Sequence, residues 1–239
     1  MCREKRNPQS EFQWIAVSNW QIFRESRKSS ASVQEDISKE VHIQKREWTG
    51  KEDHAQEEYV DFLTKLMKEK KPDMLILREK QLSQEAYDRL YGAVEASFQK
   101  AGILLQRLYP HYYLSALKEQ PEGEKRIHLP LTLFESYQQE EKTRRLLKAA
   151  KVGTSVHSVQ EAERAQQLGA SYVTAGHIFA TDCKRGLSPR GLEFLKAVCN
   201  SVDIPVYAIG GIESEHEEML KDAGAKGACQ MSGYMKSSE

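Results

Sequence analysis

KVGTSVHSVQEAERAQQLGASYVTAGHIF, residues 151–179, decides the fold. KVGTSV is a short apolar segment of strand character. SVQEAERAQQLG carries its apolar positions at helical spacing. SYVTAGHIF is again a strand. Ser158 stands where an N-cap belongs, and Glu161 three residues on completes a capping-box pattern. A strand, a helix of about 10–15 residues and a second near-continuous apolar strand point to parallel strands buried on both faces.

The same unit repeats outward. PRGLEFLKAVCNSV reads as a helix, IPVYAIGG as a strand, EHEEMLKDAGA as a helix and GACQMSG as a last strand. Toward the N-terminus the rhythm is looser. FQWIAVSN is a strand, YVDFLTKLMKEKK an amphipathic helix, PDMLILREK a strand and SQEAYDRLYGAVEASFQKAG a Ser-capped helix. The eight strands expected are WIAVSN, MLILRE, ILLQ, RIHLPL, KVGTSV, SYVTAG, PVYAIGG and GACQMSG. Eight parallel strands with helical connections make an α/β fold of the TIM (β/α)8 barrel type, and 239 residues suit one such domain, 1–239. A doubly wound sheet would carry a glycine-rich turn after its first strand, and WIAVSNW has none.

Two departures from a regular barrel are expected. Residues 24–58 hold seven Lys/Arg and nine Asp/Glu with few apolar residues, and read as a charged insertion after strand 1. Beyond GACQMSG only YMKSSE follows, so the final helix is expected to be truncated or missing. An uncovered barrel wall would be apolar, and a second subunit, hence a homo-oligomer, is the favoured cover over residues 1–10 or the insertion.

Composition excludes several functions. Lys plus Arg and Asp plus Glu both number 35, so the chain is formally neutral and has no electrostatic footprint for nucleic acid. No apolar run reaches the roughly 20 residues that span a bilayer, so no membrane partner is expected. MCREKRNPQSEFQW is basic but lacks the apolar stretch of a signal peptide. Cys2, Cys183, Cys199 and Cys229 form neither C-x-x-C nor a metal spacing, which fits a reduced, cytoplasmic chain with no cofactor and no structural metal.

In such a barrel, chemistry sits at the C-terminal ends of the strands. That rule selects Arg78 and Lys80, Gln106, Pro130, Ser155 and His157, His177, Gly210 and Gly211, and Ser232 and Gly233. The last four are small residues after strands 7 and 8, where exposed backbone N–H groups commonly hold a phosphate; two tight turns are the competing reading. His177, in AGHIF, is placed to take and return a proton near neutral pH, or else is a buried histidine satisfied by a carbonyl. His157 is expected to pack or cap, and His128, within IHLPL, to pack in the core. In ATDCKRGLSPRG, Thr181 and Lys184 can reach an anion, and the loop equally suits a solvated surface; Cys183 lacks an evident base and is not a favoured nucleophile.

GTSVHSVQEAERAQQLGASYVTAGHIFATDCKRGLSPRGLEFLK, with IPVYAIGGI and GACQMSG after it, resembles the thiamine phosphate synthase/TenI superfamily, and most of all the TenI-type thiazole tautomerases with their GH-hydrophobic-F and TDCK-x-G pattern. The resemblance is strong over about residues 152–235, extends to LREK at strand 2 and finds weaker support in IHLPL. It implies a TIM barrel and a role in thiamine biosynthesis. Two reactions share this scaffold. The synthase joins a pyrimidine pyrophosphate to thiazole phosphate with Mg²⁺; the tautomerase moves a proton to aromatise a thiazole carboxylate phosphate without metal.

Synthases place Asn-Asp at the end of strand 3 and an acidic residue after strand 4. Here those places are read as Gln106-Arg107-Leu108 and Leu129-Pro130-Leu131, which offer Mg²⁺ no carboxylate. The resemblance therefore implies the tautomerase, with His177 as acid/base and a small phosphorylated thiazole as substrate. Its phosphate is expected on Gly210, Gly211, Ser232 and Gly233, with Arg78, Lys80, Ser155, Thr181 and Lys184 as further contacts. Whether Arg78 or Lys184 holds the carboxylate stays open. The synthase with displaced metal ligands, and a non-catalytic thiazole or thiamine phosphate-binding regulator, are the alternatives.

Overall fold

The computed structural model describes residues 11–28, 53–118 and 120–236. In chain order the elements are β1 (Gln13–Val17), α1 (Trp20–Lys28), α2 (Asp53–Glu69), β2 (Met74–Leu77), α3 (Gln84–Lys100), β3 (Leu108–Pro110), α4 (Ser115–Lys118), β4 (Arg126–Pro130), α5 (Leu131–Tyr137), α6 (Glu141–Lys148), β5 (Lys151–Val156), α7 (Val159–Gln167), β6 (Tyr172–Gly176), α8 (Gly191–Ser201), β7 (Val206–Ile209), α9 (Glu217–Asp222), β8 (Gly227–Gln230) and α10 (Ser232–Met235). Local signals set several helix starts. Ser83 caps α3 by accepting from Ala86 N at 3.2 Å, and Ser158 caps α7 by accepting from Glu161 N at 3.0 Å.

All eight strands are parallel, in the order β3-β2-β1-β8-β7-β6-β5-β4. The ladder runs unbroken through β1 and β8, with Trp14 opposite Ala228 and Ile15 opposite Cys229. β3 and β4 meet by a narrower seam. A parallel bridge pairs His111 with His128, Tyr112 N donates to His128 O at 3.2 Å, and Arg126 Nε donates to Leu108 O at 3.0 Å. The result is a nearly closed TIM-type barrel, as the strand count predicts.

Side chains fill its interior. Ile15, Val17, Ile76, Tyr109, Tyr172, Tyr207 and Cys229 form one buried cluster. Tyr172 packs edge-on against Tyr109 and Tyr207, at 5.9 Å and 5.4 Å between ring centroids. Gly153 makes room for this plug, since a Cβ there would fall 2.0 Å from Tyr172 Cζ. Outside the barrel, α1–α3 bury Trp20, Phe23, Tyr59, Tyr87 and Phe98 against the β1–β3 side, and a second cluster covers β4–β8.

Three expectations need correction or refinement. Strand 3 is Leu108–Pro110, not ILLQ; Leu105–Arg107 is a 3₁₀ turn and Leu104 is exposed. An apolar run alone does not say which of its residues face a core. Residues 24–28 and 53–58, read as the ends of the insertion, are helical in α1 and α2, whose apolar stripes pack on the barrel; residues 29–52 lie outside the described set. The wall formed by β1 and β8 is not bare. Ala16 and Ala228 are fully buried, and Met235 of α10 is buried in one cluster with Ala16, Trp20 and Phe23. Alanines on the outer faces need little cover, so four residues of α10 help to close the wall within the chain. The exposed patch that argued for a partner subunit is absent among the described residues.

One buried charge ties the N-terminal half together. Glu79 follows β2 and is 1% exposed. Its Oε1 accepts from Ser18 Oγ and Tyr59 Oη, both at 2.6 Å, and its Oε2 from Trp20 N at 3.0 Å and Gln81 Nε2 at 2.9 Å. Burial pushes the carboxyl above its ordinary range, while the four donors pull the other way. Glu79→Ala orphans several buried donors at once. It should lower the unfolding free energy by about 3 kcal/mol or more, read from urea denaturation midpoints; a loss under about 1 kcal/mol would show that these bonds do not organise the fold.

Candidate active site

The C-terminal ends of the strands open into one cavity of about 1720 Å³. Its wall includes Arg78, Lys80, Ser155, His177, Thr181, Lys184, Gly210, Gly211, Ser232 and Gly233. Gln106, which the strand-end rule also selects, lies apart from it in the 3₁₀ turn before β3, where its Nε2 donates to Glu124 at 2.8 Å. His157 and Pro130 also line it.

Arg78, Glu79 and Lys80 divide their tasks by alternation. The middle residue turns into the α1/α2 layer, and its neighbours face the cavity. The Lys80 ammonium is held below its ordinary value, first by partial burial in the cavity mouth and then by the Arg78 and Lys184 charges. One side of the mouth is thus rich in cations, a setting that suits an anion.

His177 stands across from them at the end of β6 and is 9% exposed. Its segment is fixed from two sides. Ile178 N donates to Ile209 O at 3.0 Å and Phe179 N to Gly210 O at 2.9 Å. From α8, Arg190 N donates to His177 O at 3.0 Å and Arg190 Nε to Gly176 O at 3.1 Å. His177 Nε2 lies 3.4 Å from Leu187 O in the 180–190 loop, which borders the cavity. The glycine pair has a packing reason of its own. Gly210 has φ 102° and a Cβ there would lie 2.3 Å from His177 Cβ; Gly211 has φ 63° and a Cβ there would lie 2.2 Å from Ala180 O. Packing against the 177–180 segment accounts for both glycines, so phosphate contact at their N–H groups must be argued separately.

The seam between β3 and β4 supplies two wall residues that sequence reasoning did not select. The sequence predicts core packing for His128. It is buried, but its ring is polar-bonded: Nδ1 lies 3.1 Å from Tyr172 Oη and Nε2 2.9 Å from Ser155 Oγ. His111 stacks on it, with centroids 5.7 Å apart and planes at 17°. His111 Nδ1 is the one buried side-chain polar atom without a partner among the described residues. The inward period of IHLPL was a usable signal for His128; nothing in strand 3 as first bounded pointed to His111. The His157 ring neither packs in the core nor caps: it is half-exposed, Ser158 is the cap of α7, and it is the His157 backbone N that donates to Glu161 Oε2 at 2.5 Å. The Cys183 side chain lies outside the described residues.

With β3 ending at Pro110, the pair after it is His111-Tyr112 rather than Gln106-Arg107-Leu108, and β4 is followed by Leu131. Neither strand end carries a carboxylate. Among the described residues no group of three or more His, Cys, Asp or Glu is placed to hold a metal ion. Of the five carboxylates that line the cavity, Glu135 pairs with Arg164 at 3.0 Å and Asp182 with Arg185 at 3.1 Å; Glu161, Glu213 and Glu215 lie on the loops and helix start after β5 and β7, away from the ends of β3 and β4. Mg²⁺ favours several oxygen ligands, carboxylates among them, and the residues at these two strand ends do not fit it.

The architecture now has its counterparts. A family model described as thiamine monophosphate synthase matches residues 123–234. A putative thiamine-phosphate synthase 2 of Aquifex aeolicus is 33% identical over 180 residues, which cover 75% of this chain and 91% of that protein. The chain belongs to the thiamine monophosphate synthase family. A thiamine-phosphate synthase of Fusobacterium nucleatum is 44% identical over 96 residues, 40% of this chain, and the match spans 47% of that relative's length. The solved thiamine phosphate pyrophosphorylase from Pyrococcus furiosus shares the fold, with a TM-score of 0.61 at 18% identity over 97% of this chain and 91% of that one. The relatives named here are enzymes that make thiamine phosphate. Among the described residues, no helix is long and apolar enough to cross a membrane.

The buried imidazoles of this family member give the site a pH signature. Burial, then the Arg78 and Lys80 charges, lowers the His128 pKa to about 3; burial, then His128, Arg78 and Lys80, holds His111 well below its ordinary value. Both are depressed relative to the unfolded chain. Their contribution to stability is complete above a pH of about 6.5 and falls as pH drops below it, by up to about 1.4 kcal/mol per unit for each imidazole. Between pH of about 6 and about 4, His128→Gln should therefore lose stability less steeply than wild type, by about that slope. Parallel slopes in urea titrations would mean that His128 takes up no proton on unfolding.

Proposed function

We propose that this family member tautomerises a thiazole carboxylate phosphate, with His177 as the proton-transfer group. The observation that carries the reading is the pairing of His177, buried at the β6 end, with strand ends β3 and β4 that hold no carboxylate. In this reading the phosphate rests against the backbone of Gly210, Gly211, Ser232 and Gly233. Arg78, Lys80 and Lys184 set a positive field for the carboxylate, and Ser155 and Thr181 offer hydroxyls. His177 removes the ring proton, and the same imidazole or a water returns a proton to the exocyclic carbon. The step is a net isomerisation: one C–H bond breaks, one forms, and no electrons leave the substrate. Aromatisation drives it, and positioned proton transfer contributes about 10²–10⁴-fold.

A second reading has its own support. The named relatives are thiamine-phosphate synthases, including the Aquifex protein matched over nearly its whole length, and this favours joining of a pyrimidine pyrophosphate to thiazole phosphate. A barrel that binds a thiazole or thiamine phosphate without turnover is the third. Assays of the purified chain with each substrate, with and without Mg²⁺, separate them. The tautomerase reading expects metal-independent aromatisation, lost by about 100-fold or more in His177→Gln while the phosphorylated product still binds. Mg²⁺-dependent coupling of the two substrates would establish the synthase instead. Ligand binding with no turnover in either assay would leave the regulator.

A further inference from the structure

A chain of polar groups runs along one wall of the cavity and ties Ser155 to side chains that the proposed mechanism leaves out: Tyr172, His128, Ser155 and Thr174, on β6, β4, β5 and β6. We propose that Tyr172 and His128 are positioning residues that fix the Ser155 hydroxyl as a hydrogen-bond donor pointing into the cavity, toward an anionic oxygen of the ligand.

Tyr172 is buried, and among the described residues His128 Nδ1, 3.1 Å away, is the hydrogen-bond partner of its hydroxyl. A buried phenol proton without an acceptor is costly, so Tyr172 donates and Nδ1 is the bare, accepting nitrogen. A neutral imidazole then carries its proton on Nε2, which donates to Ser155 Oγ at 2.9 Å. Thr174, 2% exposed, donates its own hydroxyl proton to the same Ser155 Oγ at 3.0 Å. Ser155 Oγ thereby accepts twice, which uses both lone pairs. Its own proton has no acceptor in this chain of groups, and the side left to it is the cavity that Ser155 lines.

Burial and the Arg78 and Lys80 charges disfavour a second proton on His128, which keeps the arrangement in its neutral form. The backbone is built to permit it. Gly153, two residues before Ser155, lacks the Cβ that would strike the Tyr172 ring, so the ring lies across β5 and its hydroxyl reaches β4. The ligand class follows from the neighbours. Arg78, Lys80 and Lys184 share the cavity wall, so the acceptor that Ser155 meets is an oxygen of a carboxylate or phosphoryl group.

The inference rests on the proposed reading only in taking this cavity as the ligand site; its central claim is read without ligand or turnover. In the intact chain labelled with ¹⁵N-histidine, His128 is expected as the Nε2–H tautomer, with Nδ1 at the shift of a bare, hydrogen-bonded nitrogen. An Nδ1–H tautomer would overturn the proposal, whatever the enzyme catalyses. Inorganic pyrophosphate serves as the anionic probe in calorimetry. Ser155→Ala and Tyr172→Phe should each weaken it by about tenfold or more, and the double variant no further, because both remove the same donated proton. Tyr172→Phe with wild-type affinity, or additive losses in the double variant, would contradict the relay. If Tyr172→Phe does not fold, the wild-type tautomer and Ser155→Ala decide alone: unchanged pyrophosphate affinity in Ser155→Ala would overturn the donor role.

Discussion

The Glu79 carboxylate is the constraint on which the N-terminal half depends. A carboxylate that loses nearly all its water must replace the lost hydration with donors, and those come from four places: the end of β1, the start of α1, the body of α2 and the loop after β2. Satisfying it therefore fixes how two helices stand on two strands. The bonds have a consequence for the cavity as well. With Glu79 turned outward, Arg78 and Lys80 on either side face the mouth and supply its positive charge. Ser18 links the two roles, since it donates to Glu79 and accepts from Arg78 N at 2.7 Å.

The C-terminal half reaches order by a different route. Its strands are nearly all apolar and its glycines permit backbone to lie on backbone. Gly210 and Gly211 let the end of β7 press against the His177–Ala180 segment, and Gly227 lets β8 approach Gln13 of β1. His177 is held by main-chain bonds to β7 and α8 rather than by a side-chain network. The cavity thus has a cationic side, organised by one buried anion, and a backbone side, organised by glycines.

The two reactions proposed for this chain ask different things of the ends of β3 and β4. A site that stabilises a departing pyrophosphate needs a divalent cation and the carboxylates to hold it. This chain places His111 after β3, stacked on the His128 imidazole within β4; burial and the Arg78 and Lys80 charges disfavour protonation of both. The names of its relatives and the residues at these strand ends pull toward different reactions, so the chemistry of the site must be settled on its own residues.

The sequence by itself determined the barrel and which of its residues line the cavity at the strand ends, Gln106 excepted. KVGTSV is β5 residue for residue, and the Ser83 and Ser158 caps mark their helices, because buried parallel strands and capped amphipathic helices leave periodic, local signals. The rule that places chemistry at strand ends then located ten cavity residues without any knowledge of contacts. Strand 3 escaped because ILLQ is as apolar as a strand, yet Leu104 is exposed and the pairing partner of β2 lies further on, at Leu108–Pro110. The cover of the β1–β8 wall escaped because chain length cannot show that Ala16 is met by Met235 while Ala228 is buried in the neighbouring cluster. His128 escaped because its partners, Tyr172 and Ser155, lie on other strands, 44 and 27 residues away. Alternation along one strand tells which way a side chain points. Only the closed barrel decides what it meets there, because that depends on the register of strands distant in sequence.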